Sequence, residues 1–266
     1  MILATQVTGD QRKPTVILLH AIGTDASMWT PQLSALAARY HVVAIDLPGH
    51  GKSAVPTGDP GIAGFADDVI ETVDALGIGR FALVGVSLGS MVAQRVAARL
   101  QDRISALVLS NGIAFAPDPV REIWNARIAD AQANGMAATV EGTLARWFTP
   151  PFLEAKPTPA PVMAMAATIA NTPLDGFLAA ARGISTLDNR DCLPLITART
   201  LVLAGDLDTA SPPQAVRPIA DAVPGARFET LPAGHLMNLE IADAYSTRLL
   251  NFLETTQNRP EAGVSA

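Results

Sequence analysis

A serine lies between two glycines at the point where an apolar, strand-like run becomes a helical one. The run FALVGV precedes Ser87, and LGSMVAQRVAARL, whose apolar residues recur at helical spacing, follows it. In Gly85-Val86-Ser87-Leu88-Gly89, the pattern G-x-S-x-G at a strand-to-helix junction is typical of a strained turn that projects the serine hydroxyl from the sheet. The small flanking residues let the strand and the helix approach each other closely. This context predicts that Ser87 is a catalytic nucleophile.

A serine hydroxyl is a weak nucleophile and needs a base, which is most often histidine. The chain has four histidines. His41 begins a predicted strand, His50 belongs to a turn, and His20 ends an early strand. His235, in the segment PAGH, follows the last predicted strand and precedes the last helix, which puts it at the same sheet edge as Ser87. We therefore predict that His235 is the general base.

The base in turn needs a carboxylate that holds the imidazole in the correct tautomer and stabilises its charged form. Two candidates, Asp206 and Asp208, follow the strand-like run TLVLAG. Asp208 lies further into the loop and is the predicted catalytic acid, which leaves Asp206 a role in shaping the loop. A second place for such an acid, after the run ISALVLS, holds Asn111 and no carboxylate. The order serine, acid, histidine along the chain fits a nucleophile held at such a turn.

Acyl transfer also needs two N–H groups that stabilise the charge developing on the attacked oxygen, each contributing roughly 3 kcal/mol. The residue after the nucleophile, Leu88, offers one N–H from the start of a helix. The loop His20-Ala21-Ile22-Gly23 follows an early strand and offers the other. We predict that the backbone N–H groups of Ile22 and Leu88 form this oxyanion hole.

The elements that must position these residues alternate along the chain. Short apolar runs are each followed by Gly, Pro or Asp and then by a helical pattern, which predicts parallel strands joined by right-handed crossovers. The predicted strands are residues 15–21, 41–49, 81–87, 104–112, 200–208 and 226–232. The predicted helices are, approximately, residues 27–39, 62–77, 89–101, 212–223 and 239–255.

One interval interrupts this alternation. Residues 113–195 contain no convincing strand but several Ala-rich amphipathic stretches, of which REIWNARIADAQANGMAATVEGTLARWF is the longest. Such an insertion predicts a helical cap over the carboxyl edge of the strands, where open α/β sheets bind ligands. We expect residues 1–112 and 196–256 to form the core, and residues 257–266, which are polar and aperiodic, to form a disordered tail.

Composition excludes several classes of protein. The net charge is −6, which argues against a nucleic-acid partner and offers no basic patch for an anionic membrane. Cys192 is the only cysteine, so neither a disulfide framework nor a cysteine-rich metal site is expected. The chain has no run of roughly 18 apolar residues that would span a membrane, and its start lacks the basic region of a signal peptide. We expect a soluble, cytoplasmic protein that needs no metal and no cofactor, while its oligomeric state stays open.

Two motifs mimic nucleotide-binding loops. Residues 49–53, GHGKS, end like a phosphate-binding loop, but Asp46 stands where that loop needs its first glycine. Residues 77–82, GIGRFA, precede a strand, whereas a dinucleotide-binding fingerprint follows one. We interpret the first as a tight turn in which His50 is structural, and the second as the end of a helix.

With these residues the chain resembles the α/β-hydrolase fold family over almost its whole length, and within it the branch of the 3-oxoadipate enol-lactonases. The resemblance implies a mostly parallel sheet with helices on both faces and a helical cap inserted after the sixth strand. The core motifs are shared by esterases, C–C hydrolases and haloperoxidases, whereas RWFTP in the cap, with Trp124 and Arg127 upstream, is similar to the lactonase branch. The family commonly has a second glycine where this chain has Ser90, and residues 175–185 follow the family only loosely. The stretches that carry the resemblance are LLHAIGTDASMW (18–29), DLPGHGKS (46–53), VGVSLGSMVAQRVA (84–97), ARWFTPPF (145–152) and PAGHLMNLE (232–240).

The resemblance implies a small enol-lactone substrate with a free carboxylate, such as 3-oxoadipate enol-lactone. Ser87 would attack the lactone carbonyl, and the expelled enolate would tautomerise to a ketone before water hydrolyses the acyl-enzyme. A carboxylate taken from water needs a charge-assisted partner, best an arginine. In the cap, Arg127 and Arg146 are the candidate partners, and Trp124 and Trp147 are candidate pocket walls. Such arginines are more often solvated helix residues, and the two tryptophans are equally compatible with plain packing in the cap.

Other functions remain open at this point. One alternative is a carboxylesterase or lactonase that acts on a different, neutral small substrate. Another is a non-catalytic ligand-binding protein on the same scaffold, because fold alone does not guarantee activity. A peroxidase-like use of the same three residues is a further alternative.

Overall fold

A seven-stranded sheet forms the centre of the molecule. The computed structural model describes residues 1–257. The strands, numbered along the chain, are β1 Thr5–Thr8, β2 Thr15–Leu19, β3 His41–Ile45, β4 Phe81–Val86, β5 Ile104–Ser110, β6 Thr200–Gly205 and β7 Arg227–Leu231. They follow the order β1-β3-β2-β4-β5-β6-β7, and every neighbouring pair is parallel except β1 and β3. The mostly parallel sheet is the architecture that the alternating pattern predicts.

The edge strand β1 is the one strand that the residue pattern does not predict. It pairs antiparallel with β3, with Thr5 opposite Ile45 and Thr8 opposite Val42. Its two central residues, Gln6 and Val7, are exposed. A short strand without a buried apolar run leaves no periodic signal in the sequence, because backbone hydrogen bonds to its neighbour hold it in place.

The central strands are covered on both faces. All six residues of β4 and all six residues of β6 are buried. Since successive side chains of a strand point to opposite faces, complete burial means that helices cover the sheet on each side. This double cover fixes the plane of the sheet, so the loops at its carboxyl edge extend from a rigid support.

The helices lie close to the predicted positions in the core. Between residues 1 and 257, α2 packs against α3, and α1 packs against α11. The predicted last helix, 239–255, is divided into two helices by a break at Ile241. The helices are α1 Thr30–Ala37, α2 Gly61–Ala75, α3 Leu88–Leu100, α4 Asp118–Asn134, α5 Val140–Trp147, α6 Pro150–Glu154, α7 Ala160–Asn171, α8 Leu174–Ser185, α9 Pro213–Ala222, α10 Met237–Glu240 and α11 Ala242–Gln257.

Five of these helices, α4 to α8, lie between β5 and β6. The insertion therefore follows the fifth strand of this chain, and the expectation that six strands precede it is wrong. Only β1 precedes β2, and residues 9–14 between them form a tight turn that is too short to hold another strand. The longest predicted stretch of the insertion is broken after α4 by Gly135, whose φ of 76° ends the helix.

The insertion contacts the core at several places. Helix α8 packs against α2, and Gly176 of α8 lies so close to Gly49 that a Cβ on either glycine would overlap the other's backbone. The hydroxyl of Thr172 donates a hydrogen bond of 3.2 Å to the carbonyl of Gly23. The loop that follows β2 is therefore in direct contact with the insertion.

The end of the chain is described only in part. Helix α11 continues to Gln257, so the predicted tail begins within a helix. The rest of that predicted tail, residues 258–266, lies outside the described residues. In the part that is described, none of the helices is both long and apolar enough to cross a membrane.

Candidate active site

Ser87 occupies a sharp turn between β4 and α3. Its backbone has φ 54° and ψ −116°, a conformation that non-glycine residues rarely adopt and that stores strain. The N–H of Ser87 donates to the carbonyl of Ser110 at the end of β5, and its carbonyl accepts from Met91 in the first turn of α3. These bonds hold the turn in its strained form. Ser87 is 5% exposed, so the surrounding elements leave it only a narrow opening.

The glycines on either side of Ser87 are required by close backbone contacts. A Cβ on Gly85 would overlap the backbone of Gly89 and Ser90, and a Cβ on Gly89 would overlap the carbonyl of Leu19 in β2. The N–H of Gly89 also donates to the carbonyl of His20 at 3.0 Å. The G-x-S-x-G pattern thus reflects the crowding of β4, α3 and the end of β2 around one serine.

A histidine and a carboxylate meet at the same edge of the sheet. The Nδ1 of His235 lies 2.7 Å from Oδ2 of Asp208, and both residues are 3% exposed. The other oxygen of Asp208 accepts from the backbone N–H groups of Ala210 at 2.7 Å and Ser211 at 3.0 Å. Both carboxylate oxygens are therefore satisfied. With Nδ1 donating to Asp208, the Nε2 of His235 is left as an acceptor.

The neighbouring carboxylate, Asp206, is differently placed. It is exposed, and its backbone N–H donates to the carbonyl of Leu231 in β7. The structure thus brings Asp208, and not Asp206, to His235. The distinction arises because the loop turns inward after Leu207, which is itself 59% exposed.

Asn111 connects the ends of three strands behind this pair. Its amide nitrogen donates to the carbonyl of His235 at 2.6 Å, and its amide oxygen accepts from the N–H of Gly205 at 2.8 Å. Gly205 ends β6, just before the loop that carries Asp208. Asn111 is fully buried and has a φ of 48°, a conformation that asparagine tolerates better than most residues. From the sequence, Asn111 is only a position that lacks a carboxylate. In the structure, its carboxamide fixes the loop after β6 and the loop of His235 relative to each other.

The loop after β2 is held by hydrogen bonds to one carbonyl. The oxygen of Ala21 lies 2.7 Å from Nδ1 of His20, and it accepts from the hydroxyl of Thr24 at 2.8 Å and the N–H of Thr24 at 3.3 Å. In a trans peptide the N–H points opposite to the carbonyl, so anchoring the Ala21 oxygen also orients the N–H of Ile22. The N–H of Leu88, the first residue of α3, has no acceptor within its own helix.

Two buried histidines support this loop without belonging to the Asp208–His235 pair. The Nε2 of His20 accepts from the N–H of Leu47, and the rings of His20 and His50 lie 5.3 Å apart. Burial lowers the pKa of His20 to about 4, and burial together with the charge of His20 lowers the pKa of His50 to about 3. Both are therefore neutral near pH 7. His50 is structural, as predicted, since its Nδ1 lies 2.9 Å from the carbonyl of Pro48.

Two arginines of the cap have no carboxylate partner within residues 1–257. Arg127 donates to the hydroxyl of Thr143 at 3.3 Å, and its guanidinium lies 4.3 Å from the centre of the Trp124 ring. Burial, and to a smaller extent the charge of Arg146, lowers the pKa of Arg127 to about 9. Burial also lowers the pKa of Arg146. Among residues 1–257, neither guanidinium forms an ion pair with an acidic side chain, so two neighbouring cations lie together in the cap.

Trp147, the last residue of α5, joins the cap to the loop that carries His235. Its carbonyl accepts from the N–H of His235 at 2.8 Å and from the N–H of Leu236 at 3.2 Å. Trp147 is 3% exposed, whereas Trp124 is half-buried and covers the Arg127 guanidinium. Trp124, Arg127 and Arg146 thus form one group, and Trp147 contacts His235 through its backbone.

Three comparisons relate this arrangement to known proteins. The 3-oxoadipate enol-lactonase 1 of Acinetobacter baylyi is 29% identical over 255 residues, which cover 96% of this chain and 94% of that protein. The crystal structure of the enol-lactonase from Burkholderia xenovorans LB400 has a TM-score of 0.90 and 33% identity, covering 95% of this chain and 96% of that one. A thermophilic esterase from Thermogutta terrifontis, solved with malate bound, has a TM-score of 0.87 and 28% identity, covering 96% and 93% of the two chains.

These relatives agree in fold and in the general class of reaction, since each is named as a lactonase or an esterase. A family model described as the alpha/beta hydrolase fold matches residues 14–241, which include the turn at Ser87, the insertion and the loop of His235. The chain is a hydrolase that belongs to the α/β-hydrolase fold family.

Proposed function

We propose that this hydrolase opens a small enol-lactone that carries a free carboxylate, such as 3-oxoadipate enol-lactone, through an acyl-enzyme. The observation that carries the proposal is the half-buried guanidinium of Arg127, which has no acidic partner among the described residues and lies beside the second cation of Arg146. A buried charge without a partner is costly, and a substrate carboxylate would remove that cost through charge-assisted hydrogen bonds.

The reaction follows from the groups at the sheet edge. Ser87 attacks the lactone carbonyl while Nε2 of His235 takes the hydroxyl proton, and Asp208 stabilises the resulting imidazolium through Nδ1. The N–H groups of Ile22 and Leu88 stabilise the charge on the carbonyl oxygen. The ring C–O bond then breaks, and the enolate that leaves accepts a proton and tautomerises to a ketone. Water, activated by His235, hydrolyses the ester to Ser87 and releases a 3-oxo diacid.

The cap contacts support a carboxylate site within reach of this chemistry. Arg127 contacts Thr143 of α5, and Trp147 lies one helical turn further along, about 5.4 Å away by the helix pitch. The carbonyl of Trp147 accepts directly from the N–H of His235. The same helix, α5, therefore contacts both Arg127 and the backbone of His235, which supports a carboxylate site near the sheet edge.

The relatives support the same substrate class. The Acinetobacter and Burkholderia proteins are named as enol-lactonases, and both align with nearly the whole of this chain. The stretch Trp147-Phe148-Thr149, which resembles that branch in sequence, is the part of the cap that contacts the His235 loop.

Steady-state kinetics of an Arg127→Gln variant tests the proposal. Loss of a charge-assisted contact to the substrate should raise KM for 3-oxoadipate enol-lactone about 10- to 150-fold, the factor that corresponds to roughly 1.5–3 kcal/mol. Hydrolysis of p-nitrophenyl acetate, which has no carboxylate, should change much less. Arg121→Gln is the matched control, because Arg121 lies on the same helix, is exposed and pairs with Asp118.

The kinetics also decide between the proposal and its alternatives. The similarity to the Thermogutta esterase favours an esterase as the alternative. Ester hydrolysis by the unmodified protein without lactone hydrolysis would replace our proposal with that alternative. If a fluorophosphonate fails to label Ser87 in the folded protein, the acyl-enzyme mechanism is wrong and a ligand-binding role gains support.

A further inference from the structure

The loop of His235 and the end of α5 are joined by more than the bonds to Trp147. Thr149, two residues after Trp147, contacts the carboxylate of Glu240, which lies five residues after His235. The Thr149 hydroxyl donates a short hydrogen bond to Oε1 of Glu240, and its N–H donates to Oε2 at 3.3 Å. The side chain of Glu240, a residue of the core, thus binds the backbone and the hydroxyl of Thr149 in the cap.

The same carboxylate also holds the residue before the base. The N–H of Gly234 donates to Oε2 of Glu240 at 3.0 Å. One carboxylate therefore accepts hydrogen bonds from the cap and from the His235 loop at once. It has no basic partner among the ion pairs of the described residues, so these N–H and O–H donors provide its stabilisation.

Gly234 shows how closely the two segments approach. A Cβ at this position would lie 2.8 Å from the carbonyl of Trp147 and 3.0 Å from Oε2 of Glu240. Phe148 would be 3.4 Å away through its backbone. Only glycine fits between the cap segment and the carboxylate, so the N–H next to His235 reaches Glu240 directly.

We propose that Glu240 is a positioning residue that fastens cap residues 147–149 to the loop of His235, so that the cap and the catalytic base hold one fixed arrangement. The inference rests on the proposed function, because it gives His235 the role of the base. In this role Glu240 does not contact the substrate. It acts through the backbone of Gly234 and His235, and it complements Asn111, which holds the carbonyl of His235 from the opposite side of the loop.

The arrangement has a kinetic consequence. If the His235 loop and the cap separate, the imidazole loses its alignment with Ser87 for every substrate, whether or not that substrate contacts the cap. Misplacement of a catalytic group by about 1 Å can reduce the rate about 100-fold. A loss of order that is confined to the cap would instead slow only the hydrolysis of those substrates that the cap binds.

The test compares Glu240→Ala with Glu240→Gln. The alanine variant should lower kcat about 10- to 100-fold for p-nitrophenyl acetate and for the enol-lactone alike. The glutamine variant should recover most of this loss, because its amide oxygen can accept from Gly234 and Thr149 while its NH₂ donates to the Thr149 hydroxyl. Thr149→Val, which removes the cap's hydroxyl donor alone, should show a smaller fall in kcat for both substrates. The concentration of active protein in each variant is set by fluorophosphonate labelling and its folding by circular dichroism.

Glu229→Ala is the matched control, since Glu229 is a half-buried glutamate of β7 whose carboxylate pairs with Arg248 and not with Gly234 or Thr149. It should lower the melting temperature without lowering kcat. The inference is overturned if Glu240→Ala behaves like Glu229→Ala, or if it raises only KM for the lactone. It is also overturned if Glu240→Gln is as slow as Glu240→Ala. Inactivity of the unmodified protein on both substrates would instead refute the proposed function, and the inference with it.

Discussion

At the scale of single residues, two buried side chains with positive φ define the centre of the site. Ser87 and Asn111 follow the neighbouring strands β4 and β5, and each is held in place by backbone hydrogen bonds. Strain of this kind costs of order 1–3 kcal/mol per residue and persists only where the surrounding structure enforces it. At Ser87 the strained backbone orients a side-chain hydroxyl. At Asn111 it orients a carboxamide that bonds to the end of β6 and to the loop of His235.

Substitution of Asp208 by Asn should lower kcat/KM about 10⁴-fold, because an amide in place of the carboxylate favours the wrong tautomer of His235. Asn can keep the bonds that Asp208 accepts from Ala210 and Ser211, so the loop should remain intact. The measurement is p-nitrophenyl acetate hydrolysis by this variant and by its control, each with its concentration of active protein determined by fluorophosphonate labelling. Asp206→Asn is the control and should retain activity within about twofold, since surface substitutions of this kind have small effects. Equal losses in the two variants would show that the acid is misassigned.

At the scale of elements, the turn between β4 and α3 depends on close backbone packing against the end of β2. The N–H of Gly89 bonds to His20, so the start of α3 lies against the end of β2. The positions of Ser87 and of the loop that contains Ile22 are therefore set by one packing contact. The loops of Asp208 and His235 come from β6 and β7 and are set separately, through Asn111.

Gly89→Ala should reduce the free energy of unfolding by about 1–3 kcal/mol or more, because the new methyl group overlaps the carbonyl of Leu19. Urea unfolding at neutral pH measures the change, and an accompanying loss of hydrolysis is expected from displacement of α3. Gly79→Ala is the control, since a Cβ at Gly79 meets nothing within 4 Å. If Gly89→Ala is as stable as Gly79→Ala, the close contact between Gly89 and Leu19 does not require a glycine at position 89.

At the scale of the whole molecule, buried neutral histidines couple stability to pH. The pKa of His20 is about 4 and that of His50 about 3, both lowered mainly by burial, whereas an unfolded histidine titrates near 6.5. Between these values the unfolded chain binds protons that the folded protein does not. The free energy of unfolding therefore falls as the pH is lowered from about 6.5 towards 4, by about 1.4 kcal/mol per pH unit for each histidine.

Urea midpoints measured between pH 7 and pH 5 test this coupling. The midpoint should fall steadily below pH 6.5 in the unmodified protein. In His50→Asn, whose amide can replace the donation to Pro48, the slope should decrease by about 1.4 kcal/mol per pH unit, the contribution of one histidine. An unchanged slope would show that His50 is protonated in the folded protein.

Particular elements show where prediction from sequence succeeds. The strands β2 to β6 and the turn at Ser87 are predicted because buried parallel strands are nearly continuous apolar runs, and because a glycine pattern marks the turn. Strand β7 is predicted although it is only partly buried, because it continues the alternation of strands and helices. Strand β1 is missed because its central side chains are exposed, and the resemblance to the family overestimates by one the number of strands before the insertion. The insertion itself is predicted as helical, but its division at Gly135 is not.

The candidate site divides in the same way. Sequence names Ser87, Asp208 and His235 through their order and their places after strands, and these assignments remain predictions about catalysis. It prefers Asp208 to Asp206 only by its place further into the loop, and it leaves Arg146 and Arg127 as equal candidates. Burial separates the members of the first pair, since Asp206 is exposed and Asp208 is not.

The sequence by itself determined the alternation of strands and helices, the turn around Ser87 and the sheet edge at which Asp208 and His235 lie, because these depend on local spacing and on the direction of parallel strands. Only the tertiary structure decided that Asp208 contacts His235, that Arg127 is half-buried with no acidic partner among residues 1–257, and that Glu240 and Asn111 bond to the loop of His235. Each of these contacts joins different elements of the fold. Their distances depend on how the cap and the sheet pack, which no local pattern of residues records.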